Sequence, residues 1–409
     1  MRKKHFLIYL IILVGIAVTV ACALPGLKKE QSAGEPSKTT NTQELVVEEE
    51  VSTEIVTEAP TLTAGISEVE AEPTESPQNS GQISYLHEGN LWLYQVDSGE
   101  MIQLTSFNVN DEVFTSYPRA RFSPDGRYLA FNLGGEPWIW DFESDLISDM
   151  GAYRHFFAWT DDAQKFYAIN GDLECPPIED LDDQELMNFD IVQLDVNDLD
   201  NPSLIANVSG GLRFVSAITQ NSEWASINSC GCCSECGPAY LWHLPTLNMV
   251  TPPVGIEAGN FDFSPDSQEM VFWPQQMYGY VEAELNKSDT NYSDVTKLFG
   301  QSNAVPINAR WSPNGAWIAF TSIYLDDDFT ETDQCVHLIK PDGSQETEVA
   351  CQFSDLKTWS PDGSQLLYSQ NNGTLEEYFI YHISTGAKIS IPIQVDPYQQ
   401  GYIDWGWLP

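Results

Sequence analysis

WSPNGAWIAF, at residues 311–320, is one copy of a pattern that determines the local structure around it. Three further clear copies are FSPDGRYLAF (122–131), FSPDSQEMVF (263–272) and WSPDGSQLLY (359–368). Proline presets φ for the second position of a tight turn, and Asp or Asn followed by Gly tolerates the next positions. The pattern therefore predicts a β-hairpin, in which an apolar strand a enters the turn and an alternating strand b leaves it.

Two weaker copies, WTDDAQKFYA (159–168) and ITQNSEWASI (218–227), lack the Pro and the Gly but keep the spacing. The turn positions 124, 161, 220, 265, 313 and 361 are separated by 37, 59, 45, 48 and 48 residues. In several units a third apolar run follows, such as AYLWHL or CVHLIK, and then a turn and a fourth strand. Four antiparallel strands at a repeat of about 40 to 50 residues indicate the blade of a β-propeller.

These residues resemble the TolB-like, WD-repeat-like propeller repeat. Its signature is an aromatic residue, Ser-Pro-Asp-Gly, an Ile-Ala-Phe type strand and a Leu-Tyr or Ile-Tyr strand. The resemblance extends over nearly all of residues 81–409 and implies an all-β domain of four-stranded antiparallel blades.

The two ends of this domain predict the number of blades. Residues 83–105 supply strands b, c and d without a strand a, and residues 402–409 (YIDWGWLP) supply a strand a without partners. Pairing the two ends completes a seventh blade and leaves no open sheet edge. We therefore predict seven blades closed by the N- and C-terminal strands, with six or eight blades as alternatives.

The charge balance argues against one class of function. The chain has 60 Asp and Glu residues against 18 Lys and Arg, a net charge of -42. A protein that binds nucleic acid needs a positive face for the phosphates, so we expect no nucleic-acid partner.

The N-terminal part predicts export. Residues 1–22 have a basic start and an apolar run from Phe6 to Ala21, and Val18 to Ala21 before Cys22 resemble a bacterial lipobox. The resemblance implies a lipid on Cys22 and a protein anchored to the outer side of the cytoplasmic membrane. Ordinary cleavage at Ala21-Cys22-Ala23 and an uncleaved anchor are the alternatives. Residues 23–80 are predicted to form an acidic Ser/Thr/Glu/Pro-rich linker without an ordered fold.

The long insertions all fall between strands b and c, at 170–188, 228–238 and 322–334. Because loops on a rigid scaffold commonly carry function, this b-c loop face is the predicted binding surface. Its candidate residues are acidic: Glu179, Asp180, Asp182, Asp183, Asp326, Asp327 and Asp328. For these acidic residues themselves, solvated surface charge is the first interpretation, and weak cation binding or attraction of a basic partner is the second.

Seven cysteines remain besides Cys22. Because disulfides form outside the cytoplasm, we expect these cysteines first of all to form disulfides. Cys335 and Cys351 are predicted to face each other across strands c and d of one blade, because their numbers place them symmetrically about the PDGSQ turn at 341–345. The others form a possible disulfide or metal cluster: Cys175, Cys230, Cys232, Cys233 and Cys236.

The sequence offers no catalytic motif: it lacks a G-x-S-x-G elbow, H-E-x-x-H and the Walker and Rossmann glycine patterns. We therefore predict a monomeric, noncatalytic binding scaffold without a cofactor, whose partner is an envelope protein or a glycan. The alternative is a propeller lyase or hydrolase that acts on a polysaccharide or peptide.

Overall fold

The structure is a computed structural model, and it describes most of the predicted propeller. The described residues are 81–106, 120–133, 136–150, 155–170, 188–209, 213–219, 221–230, 236–253, 260–274, 283–373, 375–396 and 403–408. The predicted signal segment, Cys22 and the predicted linker 23–80 lie outside them. No helix in these ranges is long and apolar enough to cross a membrane.

All regular elements in the described ranges are strands. In chain order they are β1 (Gln82–His87), β2 (Asn90–Gln95), β3 (Met101–Gln103), β4 (Ala120–Phe122), β5 (Tyr128–Leu133), β6 (Glu136–Asp141), β7 (Leu146–Asp149), β8 (His155–Trp159), β9 (Lys165–Asn170), β10 (Asn188–Asp195), β11 (Asp198–Ser209), β12 (Arg213–Ile218), β13 (Trp224–Cys230), β14 (Cys236–His243), β15 (Asn248–Val250), β16 (Asn260–Phe263), β17 (Glu269–Trp273), β18 (Leu285–Asp289), β19 (Thr296–Phe299), β20 (Ala304–Trp311), β21 (Ile318–Leu325), β22 (Glu331–Ile339), β23 (Thr347–Ala350), β24 (Ser354–Trp359), β25 (Gln365–Asn371), β26 (Glu376–His382), β27 (Lys388–Ile391) and β28 (Asp404–Gly406).

The strands form seven four-stranded antiparallel sheets, and the sheets are the blades of a seven-bladed β-propeller. Blade 1 has the order β28-β1-β2-β3, and blades 2 to 7 follow along the chain, beginning at β4, β8, β12, β16, β20 and β24. The predicted fold class, the blade number and the closure by both chain ends are confirmed. The sequence did not predict β18, the third strand of blade 5. Its sequence LNKSD buries the polar residues Asn286 and Ser288 instead of an apolar run.

One hydrogen-bonded unit forms the turn between strands a and b. In blade 2 the Ser123 hydroxyl donates to Asp125 Oδ1 (2.6 Å) and accepts the Tyr128 N–H (2.8 Å). The same unit recurs at Thr160, Thr219, Ser264, Ser312 and Ser360. The two weak copies are therefore true hairpins: they keep the hydroxyl and the Asp or Asn, and the left-handed turn position is filled by Ala163 (φ 56°) and Ser222 (φ 60°).

The core lies between neighbouring blades. Where blade 1 meets blade 7, Ile83 and Tyr85 of β1 pack with Leu367, Tyr378 and Ile380, all almost fully buried. Each of the other interfaces has its own apolar cluster, for example Leu91, Phe122 and Phe131 between blades 1 and 2. Burial of aromatic and branched side chains between sheets supplies the main stabilisation, at roughly 25 cal/mol per Å² of apolar surface.

The closing strand β28 fits its place only because of glycine. A Cβ on Gly406 would overlap the Phe122 ring, and one on Gly81 would overlap the Gly406 carbonyl oxygen. β28 pairs with β1 from Gln82↔Gly406 to Ser84↔Asp404, so the two chain ends share one sheet in this close contact.

Gly406→Ala should lower the free energy of unfolding by about 2 kcal/mol or more, because the added methyl group forces the closing strand away from Phe122. Urea unfolding of the purified chain measures the change. Gly300→Ala is the matched control: its Cβ meets the flexible end of Lys297, so it should cost much less. Equal losses from both variants would show that the closure is not tightly packed.

Candidate functional site

The structure describes only part of the predicted binding face. Most acidic and cysteine candidates lie outside the described residues: Cys175, Glu179, Asp180, Asp182, Asp183, Cys232 and Cys233. Cys230 and Cys236 are directly opposite each other in the β13–β14 register. The b-c hairpin of blade 6, which carries Asp326, Asp327 and Asp328, is fully described.

Asp326 organises the tip of this hairpin. Its Oδ1 accepts the N–H groups of Asp328 and Thr330, both at 2.9 Å, and its own N–H donates to the Thr330 carbonyl at 2.9 Å. Because these bonds fix the turn, Asp326 has a structural role, whereas Asp327 and Asp328 are exposed beside it. The turn holds Phe329 in a left-handed conformation (φ 60°) with 43% of its surface exposed.

A second exposed phenylalanine lies in the connection from blade 6 to blade 7. Phe353 has φ 56°, follows Gln352 at φ 68°, and is 43% exposed. Its N–H donates to Asp333 Oδ1 of β22 at 2.8 Å, and its carbonyl accepts the Asn371 N–H of β25 at 3.1 Å. Phe353 is thus tied to the b-c hairpins of two blades at once.

The segment before Phe353 is also fixed. The Cys351 carbonyl accepts the Ser354 hydroxyl at 2.6 Å and Gln370 Nε2 at 2.8 Å. In the b-c hairpin of blade 7, Leu375 is 66% exposed and its N–H donates to Asn372 Oδ1 at 3.0 Å. We call Phe329, Phe353 and Leu375 the exposed rim. A left-handed conformation is uncommon for a bulky residue, and strain of this kind persists only where the surroundings impose it.

Cys335 and Cys351 are joined by a disulfide that links β22 to the start of the Phe353 segment. Exact symmetry about the PDGSQ turn would pair Thr347 with Ile339, but in the structure Thr347 pairs with Leu338. A bulge between Val336 and His337 restores the predicted offset, so that Val336 pairs with Ala350.

Asp333 is close to both sulfur atoms of the disulfide. Because these atoms are bonded to each other, the group offers no thiolate to a metal.

A buried charged network supports the inner strand of blade 7. Lys357 Nζ, only 3% exposed, contacts Asp355 Oδ2 at 2.9 Å and Glu376 Oε1 at 3.2 Å. Thr321 of blade 6 donates to Asp355 Oδ1 at 2.8 Å. Burial opposes ionisation of Glu376, but Lys357 and hydrogen bonds outweigh it and lower its pKa. This network fixes β24, the strand that directly follows Phe353.

His337 occupies the strand c position beside the disulfide and is 2% exposed. Its Nε2 lies 2.8 Å from the Ser322 hydroxyl, its Nδ1 3.4 Å from Glu346 Oε1, and its ring stacks on Phe320 at 5.0 Å. Burial lowers the pKa of His337 to about 4. The side chain is therefore a neutral packing residue of blade 6.

His337 should make the propeller less stable as the pH falls. The folded pKa of about 4 lies below the ordinary value of 6.5, so the unfolded chain binds a proton first and stability decreases from about pH 6.5 down to pH 4. The expected loss is about 3 kcal/mol. Urea unfolding at pH 7, 6, 5 and 4 should show a shallower decrease for His337→Gln than for the wild type. Parallel decreases would rule out this contribution.

A family model that describes the dipeptidyl peptidase IV N-terminal region matches residues 40–133. No curated protein matches the chain. Among solved structures, the chain is similar to a prolyl endopeptidase, with 14% identity, a TM-score of 0.54, and coverage of 77% of this chain and 51% of that protein. The chain thus spans about half the length of that enzyme.

Two further structures share the fold. An oligogalacturonate lyase in complex with manganese is 12% identical over 71% of this chain and 82% of that chain, with a TM-score of 0.50. A putative TolB from Agrobacterium tumefaciens is 17% identical over 76% of this chain and 99% of that chain, with a TM-score of 0.44. TolB proteins are thus among the structures to which the chain is similar.

Proposed function

We propose that this propeller is a noncatalytic binding scaffold that captures an envelope protein or a glycan on the b-c loop face of blades 6 and 7. The observation that carries the proposal is Phe353, an exposed aromatic side chain in a strained backbone conformation. The disulfide at Cys351, the Asp333 carboxylate and the Asn371 N–H all fix its segment. A fold that only needed a connection here would place a glycine or a polar residue at this position.

A rigid exposed ring favours binding for two reasons. Aromatic side chains bury a large area and are enriched among the residues that dominate binding energy. A group already held in its bound position loses little conformational entropy when a partner arrives. Phe353 meets both conditions, and Phe329 and Leu375 extend the apolar surface on the neighbouring hairpins.

The charge around the exposed rim favours a basic partner. Asp327, Asp328 and Glu331 are exposed next to Phe329, and the whole chain has a net charge of -42. A partner with Lys or Arg around an apolar contact would be attracted to this face, and its association would slow as salt rises. Turnover of a polysaccharide or peptide by the purified chain would replace this proposal with the enzymatic alternative.

Phe353→Gly should separate binding from stability. Glycine relieves the left-handed strain, so the free energy of unfolding should not fall, while capture of the partner from envelope extract should be lost. Gln352→Gly is the matched control, because it changes an adjacent left-handed residue and keeps the ring. Quantitative pull-down and urea unfolding of both variants provide the readouts. Equal capture by the wild type and Phe353→Gly would contradict the proposal.

The disulfide provides a second test of the same proposal. Peptide mapping without reduction should recover Cys335 linked to Cys351, and replacing both by Ser should cost about 3 kcal/mol on the chain-entropy model for their separation of 16 residues. The doubly substituted chain should also capture less partner, because Cys351 no longer holds the Phe353 segment. Recovery of both residues as free thiols would show that no disulfide holds the Phe353 segment.

We also propose that Cys22 is lipidated and anchors the propeller to the outer side of the bacterial cytoplasmic membrane. The support is the apolar run and the lipobox-like residues before Cys22, followed by a linker without aromatic residues. Cys22→Ser should release the protein from membranes or leave it unprocessed in cell fractionation. A mature chain that begins after Ala23 and carries no lipid, found by mass spectrometry, would reject the anchor.

A further inference from the structure

The dipeptide Asn-Gly occurs at three places in the chain, at 170–171, 314–315 and 372–373. Asparagine is chemically labile, and a glycine after it leaves the next backbone nitrogen without a side chain to shield it. Residue 171 lies outside the described residues, whereas the other two pairs are described. Asn314 and Gly315 lie in the a-b turn of blade 6, and Asn372 and Gly373 lie in the b-c hairpin of blade 7. The same dipeptide therefore stands in two different surroundings.

In blade 6 the Asn314 carboxamide is held at both of its ends. Its Oδ1 accepts the Ser312 hydroxyl at 2.8 Å and the Ala316 N–H at 3.0 Å. Its Nδ2 donates to the Asp362 carbonyl of blade 7 at 2.9 Å. The Gly315 N–H donates to the Ser312 carbonyl at 2.8 Å. A reaction that turns this carboxamide onto the Gly315 nitrogen must first break these bonds, so the turn protects Asn314.

Packing against the next blade adds to this protection. A Cβ on Gly363, in the a-b turn of blade 7, would lie only 2.7 Å from Asn314 Nδ2. The Asn314 carboxamide therefore lies directly on the backbone of that turn. It is wedged between two blades as well as hydrogen-bonded within its own.

In blade 7 the Asn372 carboxamide lies on an exposed hairpin. Asn371, at the end of β25, and the two residues after it are all exposed. Asn372 Oδ1 accepts the Leu375 N–H at 3.0 Å, and Asn371 Oδ1 accepts the Gly373 N–H at 2.8 Å. The bond to the Gly373 nitrogen thus comes from an exposed side chain, whereas the bond to the Gly315 nitrogen comes from the backbone of a buried turn residue.

The space around Gly373 is open. Its φ is 85°, and a Cβ built on it would meet no other atom within 4 Å. Water and hydroxide therefore reach the Gly373 nitrogen and can take its proton. A nitrogen that has lost its proton is the nucleophile that attacks a neighbouring carboxamide.

We propose that Asn372 deamidates spontaneously in the folded protein through attack by the Gly373 nitrogen, while Asn314 keeps its amide. The nitrogen forms a bond to Cγ of Asn372, the bond from Cγ to Nδ2 breaks, and ammonia leaves with the proton that the nitrogen gave up. Water then opens the cyclic imide. Cleavage between the nitrogen and Cγ gives aspartate, and cleavage between the nitrogen and the main-chain carbonyl carbon gives isoaspartate.

The reaction changes the part of the exposed rim that carries Leu375. Either product adds a negative charge to the hairpin, and isoaspartate also adds a methylene group to its backbone. Glu376, the first residue of β26, is tied to the buried Lys357 at 3.2 Å, so the change should stay confined to the loop. The hairpin would thus be altered with the age of the protein and without an enzyme. This chemistry does not depend on the proposed function.

Incubation of the purified chain at neutral pH tests the proposal. Peptide mapping with fragment-ion assignment should show the mass gain of deamidation at Asn372, and conversion at Asn314 should be about tenfold slower or more, because several hydrogen bonds must break first. In guanidinium chloride that unfolds the chain, both residues should convert at similar rates, because the dipeptide is the same. Retention of the Asn372 amide in the folded chain, or equal conversion of both residues there, would overturn the proposal.

Gly373→Ala tests the attacking atom. The added methyl group shields the nitrogen, so conversion of Asn372 should slow severalfold, both in the folded chain and in guanidinium chloride, where the hairpin conformation no longer contributes. Gly315→Ala is the matched control, because its Cβ would also meet open space and it leaves the blade 7 hairpin intact. It should convert Asn372 at the wild-type rate. Equal rates at Asn372 in Gly373→Ala and the wild type would contradict attack by the Gly373 nitrogen.

Discussion

The serine or threonine hydroxyl at the turn between strands a and b is the interaction on which this propeller depends. In six blades it donates to the Asp or Asn two residues later and accepts the N–H five residues later, so one side chain closes the hairpin from both sides. Ser123 and Ser312 are almost fully buried, and loss of the hydroxyl would leave a buried N–H without a partner. Blade 1 replaces the hydroxyl by Gly406, because its strand a ends the ring and packs directly on Phe122.

Because this turn chemistry is local, most of the fold could be predicted from the sequence. The spacing of the copies indicated a four-stranded unit, and the unmatched ends indicated closure into seven blades. The emphasis on Pro and Gly understated the weak copies: Thr160 and Thr219 preserve the hydroxyl, and Ala163 and Ser222 tolerate the left-handed turn position. Strand β18 was missed because its buried polar residues are stabilised by their place in the sheet, which a sequence pattern does not record.

The candidate site was predictable only as a face. The long b-c loops favoured this end of blade 6 and acidity favoured Asp326, whose carboxylate fixes its own turn. Phe329 was missed although its turn is local, and Phe353 was missed because its exposure and left-handed backbone depend on distant bonds. Asp333 and Phe353 are 20 residues apart in the chain, and no local motif marks their contact.

The acidity of this chain therefore has two different physical roles. Asp326, Asp333, Asp262 and Asp404 accept backbone N–H groups and hold turns, connections and neighbouring blades in place. A carboxylate used in this way contributes to the fold through charge-assisted hydrogen bonds, and its charge says little about what the protein binds. Asp327 and Asp328 lack that role in the described hairpin, so their exposed carboxylates remain available to attract a partner. For the same reason the proposed function rests on the uncharged Phe353 and not on the net charge. Exposure of its ring is costly, and yet Asp333 of β22 and Asn371 of β25 hold the residue in place.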